Sequence, residues 1–201
     1  MTTQVTDSAL FQGDRFLVCG ANGTELVEPS QFGLKPAMPS TACYRGWMAE
    51  YLLIGQQLQL ADLYVFHDAG LPINNRKPNG PVINGVSPQD PKTPLGFNCL
   101  YKGLDLPLLF TGGLLLGKDL IRDLLGNTGF HAFWKFEEVH ELIFQQGQLT
   151  KAVDKSDIAR TVRAQHLVKG FLGRPDLSRE KEVAEWIEGS FSLRYEIQAS
   201  S

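Results

Sequence analysis

Two stretches of this chain share one pattern, and that pattern limits the fold more than any other feature. Trp134 to Leu149 reads WKFEEVHELIFQQGQL, and Trp47 to Leu58 reads WMAEYLLIGQQL. With Glu50 laid on Glu141, Leu52 falls on Ile143, Leu53 on Phe144, Gln57 on Gln148 and Leu58 on Leu149. Each copy sets a carboxylate before an apolar run, closes the run with Gly and Gln, and resumes with Leu. A strand, a polar turn containing Gly and a returning strand take this form. Two such hairpins predict a sheet, with the two glutamates in comparable positions.

The rest of the chain extends that expectation. RFLVCGANGTELV, from Arg15, carries Asn22-Gly23 between apolar runs, a hairpin signal because both residues tolerate positive φ. Glu28 to Ser40, with three prolines, reads as an extended loop. Tyr44 to Phe66 reads as a long hairpin turning at Gly55. Ala69 to Phe97 holds Pro72, Pro78, Pro81, Pro88, Pro91 and Pro94, too dense a set for a helix or a central strand, so it reads as an irregular loop within the domain. Pro107 to Leu116 predicts a strand and Lys118 to Leu125 a short helix stopped by Gly126. Ser156 and Ser178 are N-caps for two late helices, to about Leu172 and Glu188, the first turning Ile158, Val162 and Phe171 inward. Ser190 to Gln198 alternates as a final strand. The expected fold class is α+β, a largely antiparallel sheet built from hairpins with two helices near the C-terminus, in a single domain over residues 1–201.

Composition narrows the function classes. The formal charge is -3 and the basic residues are scattered, which argues against nucleic acid, since phosphate neutralisation needs a basic stripe. The three cysteines, Cys19, Cys43 and Cys99, form neither a disulfide framework nor a zinc spacing. The N-terminal residues lack the basic and apolar regions of a signal peptide, and the apolar stretch from Leu104 to Leu116 is too short to span a bilayer as a helix. A cytoplasmic protein, off the membrane, with reduced thiols and no cofactor is expected.

Ser40 to Trp47, STACYRGW, followed by a Glu-containing strand and a Gly/Gln turn, resembles a segment of uncharacterised bacterial proteins. The resemblance covers about a quarter of the chain and implies no activity and no site residues.

Several patterns carry chemistry. Gly112 to Lys118 approaches the phosphate-cradling motif, but Asp119 stands where a hydroxyl should meet magnesium, and three leucines in the loop want burial, so a Gly-bent strand is preferred. His140-Glu141 begins a zinc-protease helix motif that fails at Phe144, where the second histidine belongs, so no metal site is expected. Read as a strand, 134–144 puts Trp134, Phe136, Glu138, His140, Leu142 and Phe144 on one face. Read as a helix, the same residues would turn Phe136, Val139 and Ile143 inward; the strand is preferred. A Glu and a His on an aromatic face must pair or face a cleft. Glu50 and Glu141, if they converge, could divide acid and base roles. Cys43 with His131 or His140 is a weaker nucleophile–base pair.

Two functions follow. The first is a partner-binding module of immunity or adaptor type, with a protein partner met by the Pro-rich loop and by Arg45, Trp47, Tyr51, Phe133 and Trp134 as anchors. The second is a small hydrolase or isomerase acting on a small-molecule ligand with Glu50, Glu138, His140 and Glu141, Arg45 binding an anionic group.

Overall fold

The computed structural model describes residues 3–68, 78–93, 95–124 and 131–172, with side chains as far as 164 in the last segment. Alternation of apolar and polar residues, interrupted by turn glycines, makes one eight-stranded mixed sheet. Its strands are β1 (Ser8–Phe11), β2 (Asp14–Gly23), β3 (Trp47–Ile54), β4 (Gln57–Val65), β5 (Cys99–Pro107), β6 (Gly112–Leu120), β7 (Phe136–Gln145) and β8 (Gln148–Asp154). A helix, α1 (Ser156–Leu172), follows. β1 pairs parallel with β3; the other strand pairs are antiparallel.

The order β3-β1-β2-β6-β7-β8-β4 returns to β3 through the β3–β4 hairpin, so the sheet closes on itself, with β5 laid along β4. A small closed sheet is filled by its inward side chains. Here Phe11, Phe16, Tyr51, Leu60, Leu116 and Phe144 belong to that core. On the outer face, α1 lays Ala159 and Val162 over Leu115 and Val139 in a second cluster. Arg163 ties helix to sheet, donating to the carbonyls of Trp134 (2.9 Å) and Phe136 (2.7 Å) and pairing with Glu137.

The two matched stretches are both hairpins, β3–β4 and β7–β8, and they close the ring against each other. Gln57 pairs with Gln148, the residue on which the sequence match lays it. Leu58 N–H donates to Gly147 O (2.8 Å) and Leu149 N–H to Gln56 O (2.7 Å), and the two glutamine side chains bond at 2.5 Å. The seam is short, because β4 then turns its edge to β5.

The α+β expectation is corrected: the protein is mainly β, a large mixed sheet with one helix among the described residues. The expected helix from Ser178 and the strand from Ser190 lie outside those residues. The expected helix at Lys118–Leu125 gives way to β6 as far as Leu120 and a 3-10 turn at Arg122–Leu124. Helix propensity is a weak preference there, overridden by pairing of Lys118 with Glu138 and Leu120 with Phe136. The strand expected from Pro107 begins only at Gly112, Pro107 ending β5. Asn22-Gly23 is not a turn. β2 runs through both residues to pair with β6, and Gly23, at φ +135, presses on the Thr111–Gly112 backbone where no Cβ would fit. In α1, Ala159 and Val162 face the sheet while Ile158 stays exposed; Phe171's side chain is not among those described.

The described part of the Pro-rich segment lies against the sheet. Tyr101 hydroxyl donates to Pro81 O (3.0 Å), Asn84 Nδ2 to Leu104 O (2.7 Å), and Gln89 exchanges backbone bonds with Leu100. Among the described residues, no helix is long and apolar enough to cross a membrane.

Candidate functional site

Just before β1, the chain buries a carboxylate. Asp7 accepts from Ala49 N–H (2.7 Å), from Arg45 Nη2 and, more loosely, from the Tyr51 hydroxyl (3.5 Å). Arg45 Nε donates to Trp47 O (2.7 Å), and its guanidinium lies 3.9 Å from the Trp47 ring centroid. Gly46 makes this possible: at φ +81 it turns the chain tightly beside Ala37, so that Arg45 folds back over the residue two places on. A stacked, hydrogen-bonded guanidinium is held in one orientation.

This group forms one side of an open cleft of about 380 Å³. Val18, Ala21, Leu26 and Val27 supply apolar walls, and the Cys19–Gly20 backbone, at a β-bulge, lies along it. Burial pushes the Asp7 carboxyl up, opposed by Arg45 and by the bonds from Ala49 and Tyr51. Burial, reinforced by the Asp7 charge, pushes the Tyr51 phenol well above its usual range, so it remains a neutral donor. Burial pushes the Cys19 thiol up to about 12, which keeps it protonated and unreactive at neutral pH.

A second constellation lies past the other end of β1. His140 Nε2 is 2.9 Å from Glu138 Oε1, and Lys118 Nζ is 3.4 Å from Glu138 Oε2 and 2.7 Å from Asp14. The His140 ring meets Phe11 and Phe16 edge-on, each at 5.5 Å, and the His140 backbone lies in register opposite Asp154 of β8. The alternation of β7 puts Glu138, His140, Leu142 and Phe144 on one face, as the strand reading required. Trp134 and Phe136 depart from it: Trp134 falls in a 3-10 turn before the strand, and both pack with the α1 cluster.

Of the residues expected to bind, Arg45, Trp47 and Tyr51 line one cleft, and Trp134 does not. Of those expected to catalyse, only Glu138 and His140 meet. Glu50 points outward to Arg15, while Glu141, fully buried, pairs with Lys155 at 3.2 Å beneath α1. They do not form a shared acid–base pair. Cys43 donates to Trp47 O (3.4 Å), while His131 meets Phe136 edge-on and His140 meets Glu138, so no thiol–imidazole pair forms. Gly112–Lys118 is strand, with Leu114, Leu115 and Leu116 buried, not a phosphate loop. Among the described residues, no group of His, Cys, Asp and Glu is arranged to hold a metal ion.

Sequence reasoning missed Asp7, Asp14 and Lys118. Asp7 stands in the polar run Thr6-Asp7-Ser8, with no periodic signal to mark it as buried. Lys118 opens a local pattern that suits a helix, which hides its place on a strand face. No family model matches this chain, and no match is found for it among curated proteins or solved structures.

Proposed function

We propose that the protein is a binding module that takes a partner protein at the cleft beside Asp7 and Arg45. One observation supports this reading above the others: Arg45 and Trp47 stand at a single open cleft above the buried Tyr51, with the guanidinium already fixed by Asp7 and the Trp47 carbonyl. A side chain ordered before binding loses little entropy on binding, and Trp, Tyr and Arg are the usual anchors of protein interfaces.

The test is a pull-down from native lysate with three baits: wild type, Ala21→Trp, which fills the cleft from an exposed position, and Glu138→Gln/His140→Ala. A partner captured by wild type and the double variant, and lost with Ala21→Trp, is the expected result. A partner lost only with the double variant, or no partner with any bait, overturns the proposal.

The 2.9 Å contact of His140 with Glu138, beside Lys118, favours a second reading, a small hydrolase or isomerase. The engagement of Glu50 by Arg15 and of Glu141 by Lys155 weighs against it, since that chemistry needs both at the site. A small-molecule thermal-shift screen whose hits vanish in the double variant would bring it forward.

A further inference from the structure

The cleft has a backbone wall as well as a side-chain floor. β1 covers β2 only from Ser8 onward, with Val18 N–H donating to Asp7 O at the last rung. Before Asp7 the chain leaves β2: Val5 N–H donates to Ala42 O, Gln4 Nε2 to Thr41 O, and Gln4 Oε1 accepts from Tyr44 N–H. Past Val18, therefore, no backbone group among the described residues pairs with β2 on this side, although β6 pairs with its other edge as far as Gly23. An open edge flanked by an apolar cleft is a template for an added strand.

β2 pairs antiparallel with both β1 and β6, and an added strand of the same sense has a defined course. A segment antiparallel to β2 runs as β1 does, toward Asp7, where the edge is already taken. It must turn away or end there. At that point stands Arg45, whose Nε and Nη2 are committed to Trp47 O and Asp7, while Nη1 has no partner among the described residues. Its side chain is 32% exposed. Asp7 has its oxygens engaged by Arg45, Ala49 and Tyr51, and Arg45 itself lines the cleft. A guanidinium edge is the natural seat of a carboxylate.

We infer that the cleft captures the C-terminal end of a partner protein. The last residues extend the sheet along β2 beside Cys19–Asn22. The α-carboxylate accepts from Arg45, and an apolar final side chain packs among Val18, Leu26, Val27 and Trp47. This inference rests on the partner-binding reading above and supplies the chemistry of its partner.

The test uses the full chain, isotopically labelled, titrated with a library of N-acetyl tetrapeptides with free C-termini and with the same library C-terminally amidated. Free carboxylates should bind about tenfold more tightly than amides, the size of one charge-assisted hydrogen bond. Amide shifts should concentrate at Cys19, Gly20 and Ala21. Arg45→Lys, which leaves Asp7 a cation, should erase the preference for free carboxylates; Ala21→Trp should abolish binding while the rest of the spectrum keeps its dispersion. Equal binding of amides, shifts elsewhere, or no binding by either library would overturn it. If the lysate partner is still lost with Ala21→Trp while peptides fail, the cleft is a binding site for something other than a C-terminus, and only this inference falls.

Discussion

The β3–β4 and β7–β8 hairpins come from the same sequence pattern and differ in what covers them. Glu50 and Glu141 occupy matched positions and both point out of the ring. Glu50 keeps 23% of its side chain exposed and meets an Arg15 that is 60% exposed; Glu141 is fully buried against a Lys155 that is 14% exposed. The turn glycines differ likewise. Gly55, at φ +61, has open space where a Cβ would stand, whereas a Cβ on Gly147, at φ +80, would enter the Leu108 carbonyl and press on Gln57 Nε2. Local pattern decided the hairpin; tertiary cover decided the energetic weight of each residue within it.

Substitutions at the two ion pairs and at the two turn glycines sharpen that comparison. Lys155→Met should be the most damaging, by about 3–5 kcal/mol, because it removes the cation 3.2 Å from a buried carboxylate; chemical denaturation at neutral pH measures it. Gly147→Ala should cost about 2–3 kcal/mol by the same assay, through backbone strain and a clash at the ring seam. Gly55→Ala should cost about 1 kcal/mol, strain alone. Glu50→Gln should change stability by less than about 1 kcal/mol, the range of exposed ion pairs, and the change should shrink in salt. If the members of each pair prove equal, cover does not govern the difference.

The smallest effect is a pH dependence away from both hairpins. Burial holds the His67 imidazole below its usual range, and its Nδ1 accepts from Lys35 N–H at 2.9 Å, a bond only the neutral ring can make. The folded state thus binds the proton less well than the unfolded chain. This contribution is present above the ordinary histidine range and is lost as pH falls through it toward His67's lowered value. Thermal melts of wild type and His67→Gln from pH 8 to 5 should converge toward acid; parallel curves would contradict the assignment.

The sequence carried the two hairpins plainly, because alternation and a Gly turn are local signals. The start of α1 at Ser156 is legible too, but the serine does not cap it: its hydroxyl accepts from Val139 N–H while the Asp154 carboxylate accepts from Ser156 N–H, and Ile158, expected inward, lies outward. Closure of the ring was legible only as a faint echo, the match of Gln57 with Gln148, since long-range pairing leaves no periodic mark. β6 beyond Gly117 reads as helix because Lys, Asp and Leu satisfy a helix locally, while the pairing that holds them extended comes from β7. Arg45, Trp47 and Tyr51 were legible as residue types suited to binding, and their convergence was not. Asp7, which brings them together, gave no signal because a lone aspartate in a polar segment ordinarily faces water.

The most direct test of the central claim is hydrogen exchange across the chain with and without the captured partner. The account predicts slowed exchange confined to residues 18–27 and 43–51, around the cleft. Slowed exchange at 118–120 and 136–140 instead, with the cleft unchanged, would contradict it and move function to the Glu138–His140 group.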